Sequence, residues 1–201
     1  MEPIKLNLGC GRDIRDGFVN VDWHKHEGVD RQVDLFKYPW TELDQYVGKV
    51  EHIVANHIIE HIPHTARLNQ YLFNADKLPP YVDGFFHFFY ECWKLLIPGG
   101  TMSIETPHAR NDAAYQDPTH TRYLVEASFV YLDQDGYGGS FDYGIPFSFA
   151  VVEMGHIFLG DDIPDRDEDP EKAMAMLHHS VNIVWAMHLT LKKKELESKS
   201  L

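Results

Sequence analysis

Apolar, β-branched runs recur along the chain with turn residues or longer helical patterns between them, and this alternation constrains the fold more than any other feature. Strands that alternate with turns and helices specify an α/β domain. Strands are expected at 4–8, 18–22, 31–35, 52–56, 101–106, 146–154 and 181–191. A helix is expected from about Val82 to Leu96, capped by Asp83 and stopped by the proline and glycines of IPGG (97–100). A second should begin near Asp169, which can cap it, with Pro170 suited to its first turn. A chain of 201 residues has material for one ordinary hydrophobic core, so a single domain is expected.

Composition narrows the class of function. No stretch is long or apolar enough to span a bilayer, and Met1 to Lys5 lacks a signal-peptide pattern, so a cytoplasmic protein is expected. A formal net charge of −13 repels phosphate and argues against nucleic acid as a partner. The basic run Lys192–Lys194 reads as a solvated strand end, and the acidic stretch 160–170 as an exposed, mobile loop. Cys10 and Cys92 are too few for a disulfide framework and read as reduced thiols without a catalytic role. The aromatic cluster FFHFFYECW (85–93) is expected to pack inside, with any exposed face available to a homodimer.

The chemistry is expected where the first strand ends. Ile4–Leu8 breaks into Gly9, Cys10 and Gly11, and glycines there let backbone amides approach a ligand without side chains in the way. The next strand ends in Asp22, a carboxylate placed to accept hydrogen bonds from a ribose diol. Either feature alone is common in ordinary turns. Together they point to a nucleoside-like ligand at neighbouring strand tips.

These residues carry a family resemblance. LNLGCG…GFVNVD, followed by VDLFKYPW, EHIVANHIIEHI and ECWKLLIPGGTMSIETP, resembles the class I S-adenosylmethionine-dependent methyltransferases, in particular the small type 11-like ones, over roughly Ile4 to Pro107. The resemblance implies a Rossmann-like, doubly wound, mostly parallel seven-stranded sheet flanked by helices, with the segment 181–191 as an antiparallel last strand. It implies S-adenosyl-L-methionine as cofactor, with Leu8, Gly9, Cys10 and Gly11 under its methionine part and Asp22 on the ribose hydroxyls. Asp34 and Leu35 would flank the adenine, and Asn56 and His57 would border the sulfonium and the substrate. Glu91 stands where relatives often carry arginine, on a helix and away from the site.

The connection GCGRDIRDG is shorter than the crossover a helix between parallel strands needs. The turn's own amides must then do most of the cofactor binding, and a lid has to come from elsewhere. The irregular segments 63–81 and 108–144 are the candidates for lid and substrate pocket. Within the second, DPTHTRY resembles a DPxHxR element that follows the fifth strand in similar methyltransferases; His120 and Arg122 are expected to contact substrate, with Asp117 orienting them. Methyl transfer from a sulfonium is an in-line displacement of an already activated leaving group, so alignment carries much of the rate. If the acceptor is a hydroxyl or amine, His57 or His120 can take its proton near neutral pH. A small molecule or saccharide is the expected acceptor.

Two other classes compete. HIIEH (57–61) fits the H-x-x-E-H pattern of inverted zinc peptidases, in which a helix would set His57 and His61 on one face beside Glu60, but 13 histidines make chance pairs common and no metal is expected. A module that binds S-adenosylmethionine without catalysis is the other. NAD is disfavoured, since GCGRD lacks the third glycine of the dinucleotide pattern and its acid comes early.

Overall fold

A computed structural model describes residues 3–65, 67–68, 83–137, 145–158 and 169–196. In chain order its strands are β1 (Ile4–Leu8), β2 (Val19–Asp22), β3 (Arg31–Gln32), β4 (Lys37–Tyr38), β5 (Val50–Asn56), β6 (Arg67–Leu68), β7 (Leu96–Pro107), β8 (Phe149–Phe158) and β9 (Val184–Lys193). The helices are α1 (Gly84–Leu95), α2 (Ala113–Gln116) and α3 (Pro170–His179). Seven strands form one sheet in the order β3-β2-β1-β5-β7-β9-β8, and β4 pairs with β6 in a separate short ladder. All pairings from β3 to β7 are parallel, while β9 runs antiparallel to both β7 and β8. The sheet is the mostly parallel Rossmann-like one expected, with its last strand antiparallel.

The crossovers depart from a fully helical flanking layer. Residues 9–18 join β1 to β2 in parallel register, Leu6 opposite Val19, and contain no helix. Two buried amides replace it. Asn7 donates to the Asp13 carbonyl (2.6 Å) and to Asn20 Oδ1 (3.0 Å), while Asn20 Oδ1 also accepts from the Arg15 N–H (3.0 Å). Both asparagines are nearly fully buried, so the loop's polar groups are satisfied from below rather than by helix packing. The β3–β5 crossing uses a 3-10 turn at Thr41–Tyr46, and among the described residues α1 is the one full α-helix between parallel neighbours.

α1 begins at Gly84, two residues after the expected start and with the expected cap. Asp83 caps it by accepting from the Phe85 N–H (2.8 Å), and Val82 lies outside the described residues. Phe85, Phe88, Phe89, Cys92 and Leu95 are buried. Phe88 meets the indole of Trp40 edge-on at 5.3 Å, and Phe89 reaches Phe149 of β8 at 6.2 Å, so the aromatic cluster is core as expected. Glu91 is buried with it, accepting from the Trp40 N–H (3.3 Å) and pairing with Lys94 (2.8 Å). Burial raises its pKa against the opposing pull of Lys94.

Two expectations are corrected. The strand expected at 101–106 begins earlier: IPGG ends the helix, but β7 already starts at Leu96, and residues 97–100 bulge out opposite Glu51 between the pairs Val50–Leu96 and His52–Thr101. The basic run is not simply solvated, because Lys193 donates to the Leu96 carbonyl (2.7 Å) over the Trp93 ring, and Lys194 pairs with Asp133 (2.7 Å) and Asp135. α3 is capped by Asp169 as expected. Most of the expected lid at 63–81, part of the one at 108–144 and residues 160–168 of the acidic stretch lie outside the described residues. No described helix is long and apolar enough to cross a membrane.

Candidate active site

β1 lies where the sheet order reverses, with β2 on one side and β5 on the other. In open α/β sheets a crevice forms at this switch point, beyond the carboxyl ends of the strands. Gly9 (φ +65°) and Gly11 (φ +50°) both take the left-handed conformation there. That region is penalised for any residue with a Cβ. A Cβ on Gly9 would approach Ile58 Cδ1 to 2.9 Å, whereas one on Gly11 would meet nothing within 4 Å. The first glycine thus packs against the turn after β5, and the second faces open space.

Asp22 ties this corner together. Its Oδ2 accepts from the Gly11 N–H (2.8 Å) and its Oδ1 from the His24 N–H (2.9 Å), with the residue 7% exposed. Each carboxylate oxygen has a further lone pair for a ligand hydroxyl. Leu8 and Cys10 are buried, so they offer the corner backbone rather than side chains. Burial and then the Asp22 charge push the Cys10 thiol up to about 11, which keeps it neutral and unreactive. Of the next pair, Asp34 is exposed with Oδ1 accepting from the Phe36 N–H (3.0 Å), while the Leu35 side chain belongs to the core.

β5 ends in half-buried Asn56, and the chain then turns sharply at His57, whose φ of +52° is rare for a residue with a Cβ. Contacts to β7 hold the turn: the His57 N–H donates to the Glu105 carbonyl (2.8 Å), and its Nε2 meets Glu105 Oε1 (2.9 Å). Its Nδ1 meets buried Glu60 Oε1 (3.3 Å). The Glu60 hydrogen bond, helped by that of Glu105, raises the His57 pKa against the effect of burial. Both ring nitrogens are therefore committed to carboxylates, which leaves no free lone pair of the kind a general base needs.

HIIEH does not form the helix that a zinc peptidase needs. Its last three residues make a single 3-10 turn, Ile59–His61, with His57 outside it. Glu60 and His61 instead face the loop after β7: the Glu60 carbonyl accepts from the Thr121 (2.8 Å) and Arg122 (3.1 Å) N–H groups, and the rings of His61 and His120 meet edge to face at 4.7 Å. His120 is brought to the turn after β5 by this contact. Arg122 faces inward, donating to the carbonyls of Ile62 (2.8 Å) and Pro63 (2.9 Å) and to Asp83 Oδ1 (2.9 Å), so its guanidinium is spent on holding the loop. Asp117 is half-exposed and bonds mainly to Thr119, which lowers its pKa; it stands 4.0 Å from His120 Nε2.

Three features at this edge escaped sequence analysis. Trp23, next to Asp22, is 63% exposed, an uncommon setting for a side chain of that size. Asn7 and Asn20 interrupt otherwise apolar strands, and that interruption was the available signal. Glu126 bonds the imidazoles of both His108 and His156, which hold its carboxyl well below the usual range; no local spacing in the sequence links these residues.

Solved structures similar to this chain share its fold. A SAM-dependent methyltransferase from Archaeoglobus fulgidus aligns with a TM-score of 0.54 at 14% identity, over 95% of this chain and 86% of that one. The Burkholderia thailandensis 1,6-didemethyltoxoflavin-N1-methyltransferase, solved with 1,6-didemethyltoxoflavin and S-adenosylhomocysteine, aligns at 0.50 and 12% identity, over 96% and 72%. The [4+2]-cyclase SpnF aligns at 0.52 and 13% identity, over 96% and 75%. No family model matches the chain, and no curated protein matches it in sequence. The architecture, a Rossmann-like sheet with a reversed last strand, is thus shared with these solved methyltransferases.

Proposed function

We propose that this chain is an S-adenosylmethionine-dependent methyltransferase acting on a small-molecule or saccharide acceptor. One observation carries the proposal: at the switch point of the sheet, a left-handed glycine faces open space while its N–H is held by a strand-end carboxylate. The backbone from Leu8 to Gly11 would take the methionine part of the cofactor, and Asp22 the ribose hydroxyls. Asp34 and the Leu35 backbone would border the adenine, with exposed Trp23, next to Asp22 in the chain, offering an aromatic face. Asn56 and His57 would bound the sulfonium.

On the acceptor side, His120 of the DPTHTRY loop meets His61 of the turn after β5, with Asp117 nearby and Arg122 fixing the loop. His57 is a positioning residue here, since Glu60 and Glu105 fix its ring beside the end of β5. The sulfonium supplies an activated leaving group, so the chain's contribution is to align acceptor and methyl carbon and to exclude water.

Calorimetric titration with S-adenosylhomocysteine and with NAD tests the reading on the native protein and on Asp22→Ala. Micromolar-range affinity for the first, none for NAD, and loss of at least about tenfold in the variant are expected, a tenfold change being about 1.4 kcal/mol. Absence of S-adenosylhomocysteine binding overturns the reading. A second reading is binding without methyl transfer; one protein that shares this fold is a [4+2]-cyclase. Cofactor bound with no S-adenosylhomocysteine formed from any acceptor supports that alternative.

A further inference from the structure

Glu60, His61 and His120 each offer one metal-ligating atom, and the three atoms lie within 4.8 Å of one another. They come from separate parts of the chain: the 3-10 turn after β5 supplies two, and the loop after β7 supplies the third. Two imidazoles and a carboxylate are a ligand set for divalent first-row transition metals such as zinc or iron(II).

Neighbouring groups prepare both histidines. His120 Nδ1 lies 3.0 Å from the Ala114 carbonyl, an acceptor, so that nitrogen carries the proton and Nε2 keeps its lone pair. His61 Nδ1 lies 3.0 Å from Thr119 Oγ1, whose own proton goes to Asp117 Oδ1 (2.7 Å), so the hydroxyl accepts from His61 and again leaves Nε2 bare. Metal-binding histidines are commonly fixed in this way, by a carbonyl or by a chain that ends in a carboxylate. Glu60 is 2% exposed and anchored by Thr106 (3.2 Å) and His57 (3.3 Å), and each of its oxygens keeps a lone pair beyond those bonds.

We infer that Glu60, His61 and His120 form a site for a divalent first-row transition metal that clips the turn after β5 to the loop after β7 at the rim of the candidate active site. Ligands about 2.0–2.2 Å from a tetrahedral ion stand roughly 3.5 Å apart, so closing the site takes side-chain rotations of about 1 Å. Three protein ligands leave a coordination position open toward the rim, for water or for an oxygen or nitrogen of a bound small molecule. The site uses Glu60 and His61 but not the His57–His61 pair of the peptidase pattern.

The test is metal titration of full-length protein stripped with a chelator, using cobalt(II) followed by visible absorption and zinc(II) followed by competition with a chromogenic chelator. One equivalent per chain is expected, with His61→Ala and His120→Ala each weakening binding more than tenfold and Thr119→Val, which frees the His61 ring, weakening it about tenfold. His26→Ala, at an exposed position, should bind as the native protein does. Melting curves and S-adenosylhomocysteine titrations on the same samples separate loss of the site from loss of the fold, and Thr119→Val carries the test if a histidine variant fails to fold. Less than one-fifth of an equivalent bound by native protein overturns the inference. So does binding in folded His61→Ala, His120→Ala and Thr119→Val that matches the native protein.

Discussion

Alanine at the two glycines of the first turn separates a packing role from a ligand-facing one. Both residues are left-handed, so each substitution costs about 1–2 kcal/mol of backbone energy. At Gly11 nothing else is touched, and for a domain of this size the melting temperature should fall by roughly 2–8 °C. At Gly9 the new methyl also presses on Ile58 at 2.9 Å, and such overpacking adds about 1–3 kcal/mol, for a total fall of roughly 4–20 °C. Ligand affinity should divide the pair differently. The Gly11 methyl would occupy the space assigned to the methionine moiety, so S-adenosylhomocysteine binding by Gly11→Ala should drop by at least about tenfold, around 1.4 kcal/mol, despite its mild effect on stability. Differential scanning fluorimetry and calorimetry on the two variants read both quantities. Native-like affinity in folded Gly11→Ala, within about twofold, would refute the placement of the cofactor against this turn.

Other expectations follow from the same edge. Trp23→Ala should leave the melting temperature nearly unchanged, because the side chain is mostly exposed, and weaken S-adenosylhomocysteine by about 5- to 100-fold in calorimetry, the range of base–aromatic stacking. Arg122→Met removes three donated hydrogen bonds and leaves part-buried acceptors behind, so chemical denaturation should show a loss of about 2–4 kcal/mol. Glu126 has its folded pKa depressed by hydrogen bonds from His108 and His156, so its contribution is present above the unfolded carboxylate value and fades as pH falls below it. The melting-temperature gap between native protein and Glu126→Gln should therefore be widest near neutral pH and narrow below about pH 4.5. A gap that is constant from pH 7 to 3.5 contradicts that assignment.

The sheet was legible because its strands are apolar runs rich in β-branched residues, and such runs announce themselves without knowledge of their partners. The reversed last strand came from the resemblance rather than from local pattern, and the strand order came from the structure alone. β4 and β6, two residues each, carry no periodicity to detect. The glycine corner and Asp22 could be proposed because they adjoin strand ends. The partners of His57, His61 and His120 could not, because Glu105 and Thr119 approach them only after α1 and β7 have brought the chain back across the sheet. Arg122 shows the limit most clearly: the motif placed it near the site, and only its surroundings reveal that it faces the protein's own carbonyls.

The helix-free passage from β1 to β2 has a consequence for motion. A packed helix would bind the corner into the same cooperative unit as the sheet, whereas two asparagine amides secure it locally. The amide hydrogens of residues 9–18 should therefore exchange with deuterium through small openings that leave the central strands intact. A ligand seated in the corner would act as its missing wall and slow that exchange.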